Sequence, residues 1–388
     1  MKQRYVFCLH KINIDIRISN NGRNTSNLDS NLLDNLGDIC IELKIIYKQE
    51  YKMKKIIITV VLIATTLFGF SNQLKSQNQA FKSNNGYVVK RITFKNSNLK
   101  MAGNLYLPAK MDEAKKYAAI VCTHPGGGVK EQTSGLYAQK LAEQGYVTLA
   151  FDASHQGESE GEPRFLEDPT QRVEDIRCAV DYLTTLTFVD AQRIGALGIC
   201  AGGGYTLSAA QTEHRIKAVA GVSIVDIGLT FREGWDGKTP VSEQIKLLEM
   251  IAKQRTAEAN GAKPILGNYV PETVDSNTIS DMREAHDYYR TPRGQHINST
   301  NQVLFISFDK VIAFSAFNQL GTLLTQPVLL VAGSNAGSRW QSELAYNMAK
   351  STKELFIVDG ATHMDLYDIP KYVTQAVSKL KEFYGKNL

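Results

Sequence analysis

The run Arg193-Ile194-Gly195-Ala196-Leu197-Gly198-Ile199-Cys200-Ala201-Gly202-Gly203-Gly204-Tyr205 holds an apolar strand that stops in a G-x-C-x-G turn and passes straight into a helix. Such a turn leaves its central residue at a strained backbone angle, so the residues two before and two after it must be small for strand and helix to approach. This is a nucleophile elbow in sequence form, and it confines the chain to folds in which a buried strand hands one reactive side chain to the start of a helix. Cys200 stands at that point and is the candidate nucleophile. Its other reading is a small buried residue in a glycine-rich turn, since free Cys is among the most buried residue types. The order of the flanking elements favours the elbow.

Alternating patterns over 86–95 and 100–107 predict an antiparallel hairpin. The continuous apolar run over 117–122 predicts a buried parallel strand, followed by a glycine loop and a helix over 134–144. A strand over 146–151, a helix over 171–185, the elbow strand and helix, and a buried strand over 216–225 continue the alternation. That order predicts an α/β class with a doubly wound, mostly parallel sheet. Over 226–326 the pattern changes to an amphipathic helix at 243–259, a shorter one at 280–289 and an apolar stretch of mixed character at 303–317. An interruption of that length between two sheet strands predicts a cap or lid. A strand over 327–332, a helix over 342–350, a strand over 354–358 and a helix over 371–384 resume the core pattern. The domain reading is a core of 86–226 and 327–384 with a cap insertion at 227–326.

Charge is informative by its location. The chain of 388 residues has a net charge of +5, but residues 1–52 hold eight Lys or Arg against six acids, and 53–78 add three Lys and no acid. The remainder has 33 of each sign, which removes the electrostatic case for a nucleic-acid partner. Met53-Lys54-Lys55 and the apolar run 56–70 have the form of a secretory signal over 53–71, with Gly69-Phe70-Ser71 as a small-x-small cleavage site. The run is short for a membrane span, and no Cys follows it to take a lipid anchor. A signal belongs at the start of a chain, so Met53 reads as the true start and 1–52 as a mis-assigned extension; the rival is a cytoplasmic tail before an uncleaved anchor. Of five cysteines only Cys122, Cys178 and Cys200 fall in the globular part, which makes no disulfide framework and no metal cluster. A free reactive thiol in an exported protein risks oxidation unless its site is buried.

Three loops follow strands at places where an elbow needs partners. They are His124-Pro125-Gly126-Gly127-Gly128, the run Phe151-Asp152-Ala153-Ser154-His155-Gln156-Gly157 continuing to Gly161, and Asp359-Gly360-Ala361-Thr362-His363. Taken with the elbow, these stretches resemble the α/β-hydrolase superfamily over about 86–384. Within it they resemble the dienelactone-hydrolase-like proteins with Cys nucleophiles, and 124–132, 156–164, 198–205 and 362–367 look closest to the YcjY-like hydrolases and related fungal polyketide transferases. The resemblance implies the α/β-hydrolase fold with a helical cap between the sixth and seventh strands, and acyl chemistry without fixing the substrate.

In that fold the order nucleophile then His puts the base after the last strand, where His363 stands. A neighbouring imidazole is expected to draw the Cys200 proton and lower the thiol below its free pKa of about 8.5. The oxyanion hole takes the backbone N–H of Ala201 and one from the glycine loop, Gly126 rather than Gly127. Asp152 and His155 read as structural. The acid departs from the family pattern, because three residues past Gly333 stands Ala336. Asp226, after the sixth strand, is the chosen alternative, with Glu343, Asp365 and a bare Cys-His dyad left open. A dyad is tolerable because a thiol needs less activation than a hydroxyl.

The expected protein is thus an exported acyl hydrolase acting on a small-molecule ester or thioester through Cys200 and His363, with no cofactor and no metal. Acyl transfer or peptide cleavage at the same site remains open, as does a non-catalytic binding protein on the same scaffold.

Overall fold

The computed structural model describes residues 86–388 apart from 113, together with 48–49 and the strands at Arg4–Leu9, Ile12–Arg17 and Ala80–Lys82. The signal read at 53–71, and most of the extension before it, lie outside the described residues. Two compact units result, 1–75 and 76–388. In the first, β1 (Arg4–Leu9) and β2 (Ile12–Arg17) pair antiparallel.

The second unit is built on one nine-stranded sheet. Its strands are β3 (Ala80–Lys82), β4 (Tyr87–Asn96), β5 (Leu99–Pro108), β6 (Tyr117–Thr123), β7 (Val147–Phe151), β8 (Val189–Ile199), β9 (Ile216–Val222), β12 (Val328–Gly333) and β13 (Lys353–Val358). The spatial order is β13-β12-β9-β8-β6-β7-β5-β4-β3. From β7 to β13 every pairing is parallel, and the pairings β7-β5, β5-β4 and β4-β3 are antiparallel. The reversal of strand order beside β6 puts the carboxyl ends of β6 and β8 at a crevice, the usual place for a ligand in such sheets.

The continuous apolar runs are explained by cover on both faces. Along β6, Ala119 and Val121 enter one core with Ile176 and Leu183 of α2 (Pro169–Thr184), while Ile120 and Cys122 enter the other with Tyr137 and Leu141 of α1 (Thr133–Ala142). Along β12, Val328 and Leu330 alternate in the same way with Leu329 and Val331. Each such aliphatic side chain, fully removed from water, contributes about 1.5–3 kcal/mol. The elbow helix α3 (Ala201–Ala210) covers the first face beside α2, and the closing helix α10 (Pro370–Asn387) covers the second.

Between β9 and β12 the chain forms α4 (Ile227–Glu233), α5 (Val241–Ala259), α6 (Ser280–Arg290) and α7 (Phe308–Ala313). The mixed apolar stretch at 303–317 divides into the end of a two-stranded ribbon, a 3-10 turn and α7. The ribbon pairs β10 (Leu266–Asn268) with β11 (Gln302–Leu304), segments too short and too far apart in sequence to show alternation. Two helices then follow β12 and β13, α8 (Arg339–Met348) and α9 (Asp365–Asp368).

The loops after β6 and β7 are joined by charge. Lys130 is 1% exposed, its ammonium lies 2.7 Å from Asp152 and 2.6 Å from Glu158, and its backbone N–H donates to Asp152 at 2.9 Å. Burial pushes the Asp152 carboxyl up, and the Lys130 ammonium pulls it back. Asp152 is therefore structural, as the sequence suggests. Asp152 is the fully buried one of the three carboxylates around Lys130, with Glu158 and Glu131 left to hold the ammonium at 2.6 and 2.9 Å, so Asp152→Ala should lower unfolding free energy by about 1–3 kcal/mol. Urea denaturation measures this, and Lys130→Met in the same chain should recover part of the loss.

Candidate active site

β8 delivers Cys200 to the N-terminus of α3 with φ 54° and ψ −126°, a left-handed angle for a residue with a side chain. Such an angle costs about 1–3 kcal/mol and persists only where the surroundings fix it. Here the Cys200 N–H donates to the Val222 carbonyl at 3.1 Å, and its own carbonyl accepts from Gly203 at 2.8 Å and Val225 at 3.0 Å. Close approach does the rest. A Cβ on Gly198 would lie 2.2 Å from the Gly202 carbonyl oxygen, and one on Gly202 would lie 2.5 Å from the carbonyl oxygens of both Thr123 and His124. Both small residues of the elbow are thus required by backbone contact.

The amides of Ala201 and Gly126 and the hydroxyl of Tyr367 all face the Cys200 sulfur. The glycine loop is held from below by His124. Its Nδ1–H donates to the Pro125 carbonyl at 2.7 Å, and its Nε2 accepts from the Ala153 N–H at 3.1 Å and from Arg172 at 3.2 Å. Burial and the Arg172 charge keep this imidazole well below its ordinary pKa, and so neutral. From above, the Tyr269 ring lies against Gly126 and Gly127, where a Cβ would meet it at 3.3 and 2.6 Å. The Tyr269 hydroxyl donates to buried Glu167 at 2.6 Å, as does the Tyr205 hydroxyl at 2.6 Å, while Ser299 donates to the Gly127 carbonyl at 2.7 Å. The cap therefore touches the loop carrying one of the two amides.

His363 follows β13 in a turn closed by the Thr362 N–H on Asp365 at 3.0 Å. Its ring is 2% exposed, with Nδ1 2.6 Å from the Ser338 hydroxyl and Nε2 3.3 Å from the Tyr367 hydroxyl. The ring nitrogen expected to face Cys200 thus meets Tyr367, whose hydroxyl in turn faces the sulfur. Burial lowers the imidazole to about 4, against a smaller upward pull from Asp281. Burial also raises the Cys200 thiol, with the Tyr367, Ala201 and Gly126 hydrogen bonds opposing. The expected lowering of the thiol by the imidazole is therefore corrected. His363 is buried and Cys200 half-buried, and a poorly solvated group favours its neutral form.

Asp226 is not brought to His363. It caps α4, with one carboxylate oxygen accepting from Leu229 at 3.1 Å and the other from Ala316 at 2.9 Å. A carboxylate after β9 is spent on starting the next helix. Glu343 pairs with Arg339 along α8, and Asp365 closes the turn before its own helix. The position beside Nδ1 belongs to Ser338, five residues past Gly333. The acid acting on the ring is Asp281 of the cap, which accepts from Trp235 at 2.8 Å and Gly337 at 2.9 Å, with the Trp235 ring 5.1 Å from that of His363. Asp281 opens an amphipathic helix, where an acid is ordinary, so its sequence position carries no catalytic signal.

Comparison with known proteins gives the family and the fold. The dienelactone hydrolase family pattern matches residues 101–232. The chain is 45% identical over 302 residues to the uncharacterized protein YcjY of Escherichia coli, covering 77% of this chain and 99% of that one. The crystal structure of the hypothetical protein PA2218 from Pseudomonas aeruginosa superposes with a TM-score of 0.74 at 34% identity, over 79% of this chain and 96% of that one. The α/β hydrolase GrgF from Penicillium sp. sh18 shares the fold, with a TM-score of 0.65 at 21% identity over 77% and 98% of the two chains.

Two measurements separate the carboxylates and test the buried base. Asp226→Asn should cost about 1 kcal/mol of stability, as loss of a cap does, and leave turnover near wild type. Asp281→Asn should lower kcat/KM about tenfold, because the imidazole loses the charge that favours its protonated form. The His363 pKa of about 4 lies below an unfolded value of about 6.5, so between these limits the unfolded chain binds the extra proton. Stability held above about pH 6.5 is lost as pH falls toward 4, by about 3 kcal/mol. Urea titrations at several pH values should show that slope in the wild type and a shallower one in His363→Gln, where buried His124 alone of the two imidazoles still contributes.

Proposed function

The chain belongs to the dienelactone hydrolase family, and from that premise we propose that it is an acyl hydrolase cleaving an ester or thioester through a Cys200 acyl-enzyme. The observation that carries this reading is the convergence of the Ala201 and Gly126 amides on the sulfur of a cysteine held at φ 54°. Donors that meet at the nucleophile are placed for the oxyanion that forms one bond away from it.

The thiol loses its proton as it attacks, because burial disfavours a standing thiolate. His363 receives that proton. Ser338 fixes the ring through Nδ1, and the Asp281 charge favours the transient imidazolium. The carbonyl π pair moves to oxygen between the two amides; as the tetrahedral intermediate collapses, the imidazolium returns its proton to the leaving oxygen or sulfur. Water then enters with His363 as base, attacks the thioester carbonyl and releases the acid and the thiol. The site needs no cofactor for any of these steps. Export through the signal read at 53–71 is part of the same proposal, and it rests on Lys54-Lys55 and the apolar run that follows.

Chain-length series of p-nitrophenyl esters and acyl thioesters are the substrates for the decisive assay. Cys200→Ala should abolish turnover with the fold intact, and Cys200→Ser should lose at least about 10²-fold, since a hydroxyl is the weaker nucleophile beside a base that burial holds neutral. Full turnover in Cys200→Ala would remove the reading.

A further inference from the structure

Tyr367 lies where the thiol and the imidazole meet. Its hydroxyl is 3.3 Å from His363 Nε2, and it lies near enough to the Cys200 sulfur for each group to bear on the other's charge. The other ring nitrogen is already occupied by Ser338 at 2.6 Å, so Nε2 is the base on the thiol side and Tyr367 is its partner. The phenol is fixed in place. It is 1% exposed on α9, with ring centroids 5.2 Å from Tyr288 and 6.3 Å from Tyr289, both edge-on, and 5.6 Å from His363. The preceding residue ties the helix down, because the Leu366 carbonyl accepts from the Tyr137 hydroxyl at 2.8 Å. Burial and the neighbouring sulfur push the phenol well above its ordinary pKa, so it stays an O–H. A neutral hydroxyl with a donor on one side and an acceptor on the other can take one proton only while passing on its own.

We propose that Tyr367 is a catalytic residue that carries the proton between Cys200 and His363. This deepens the acyl-hydrolase reading and rests on it. As the sulfur bonds to the acyl carbon, the S–H proton moves to the Tyr367 oxygen, and the phenolic proton moves to His363 Nε2. The phenol ends neutral, the imidazole gains one positive charge, and the carbonyl oxygen gains the negative one. On collapse of the intermediate the imidazolium proton leaves with the departing oxygen or sulfur, and Nε2 is free again.

The test compares wild type, Tyr367→Phe and protein carrying 3-fluorotyrosine at 367, with p-nitrophenyl acetate as substrate and Cys200→Ala as control. Phe keeps the ring packing and removes only the hydroxyl. The relay predicts that Tyr367→Phe loses about 10²-fold or more in kcat with KM near wild type. It also predicts that rates in H2O/D2O mixtures follow a curved, two-proton dependence in wild type and in the fluorotyrosine protein, and a straight line in Tyr367→Phe. Wild-type kcat in Tyr367→Phe, or a straight line in wild type, overturns it. A structural role alone would lower stability and leave the isotope dependence unchanged, which also overturns it. Should Tyr367→Phe not fold, the fluorotyrosine protein decides: a curved dependence supports the relay and a straight one refutes it. Turnover by Cys200→Ala would instead sink the acyl-hydrolase reading itself, so the two failures are distinct.

Discussion

Everything at the site depends on how closely α3 is pressed against the end of β6. Gly202 sits where a single Cβ would strike the carbonyl oxygens of Thr123 and His124 at 2.5 Å. That contact fixes the elbow helix and the glycine loop relative to each other, so the Ala201 and Gly126 amides are set by one packing event. The strained angle at Cys200 survives because backbone hydrogen bonds to Val222, Val225 and Gly203 over-determine it. An ordered pair of donors facing the Cys200 sulfur is therefore built into the fold itself.

The second constraint is a buried polar chain running sideways from the loop. His124, Arg172 and Glu167 connect the backbone beneath Gly126 to the hydroxyls of Tyr205 and Tyr269, with the Arg172 guanidinium 4.9 Å above the Tyr205 ring. Glu167 is 1% exposed and Arg172 is 3% exposed, so leaving either without the other is expensive. Core and cap are thus joined by groups that cannot be separately removed.

The sheet was legible because buried parallel strands are continuous apolar runs and amphipathic helices repeat at 3.6 residues. The elbow, the glycine loop and the position of His363 were legible for a different reason: backbone strain and close approach demand particular residue types in order. The small strands Leu266–Asn268 and Gln302–Leu304 were not, since three residues carry no period. The acid was misread for a physical reason. Asp226 follows a sheet strand, but the same position starts a helix, and free backbone N–H groups claimed the carboxylate first. Asp281, Ser338 and Tyr367 reach His363 only through folding of distant segments, and no local spacing announces such a meeting.

Asp281 and Tyr269 belong to the cap, whereas the imidazole and the glycine loop they serve belong to the core. Lifting the cap would withdraw the negative charge near His363 and the ring pressed on Gly126 in the same movement. The segment between β9 and β12 thus bears on both sides of the Cys200 sulfur at once, through a charge near the imidazole and a ring against the glycine loop.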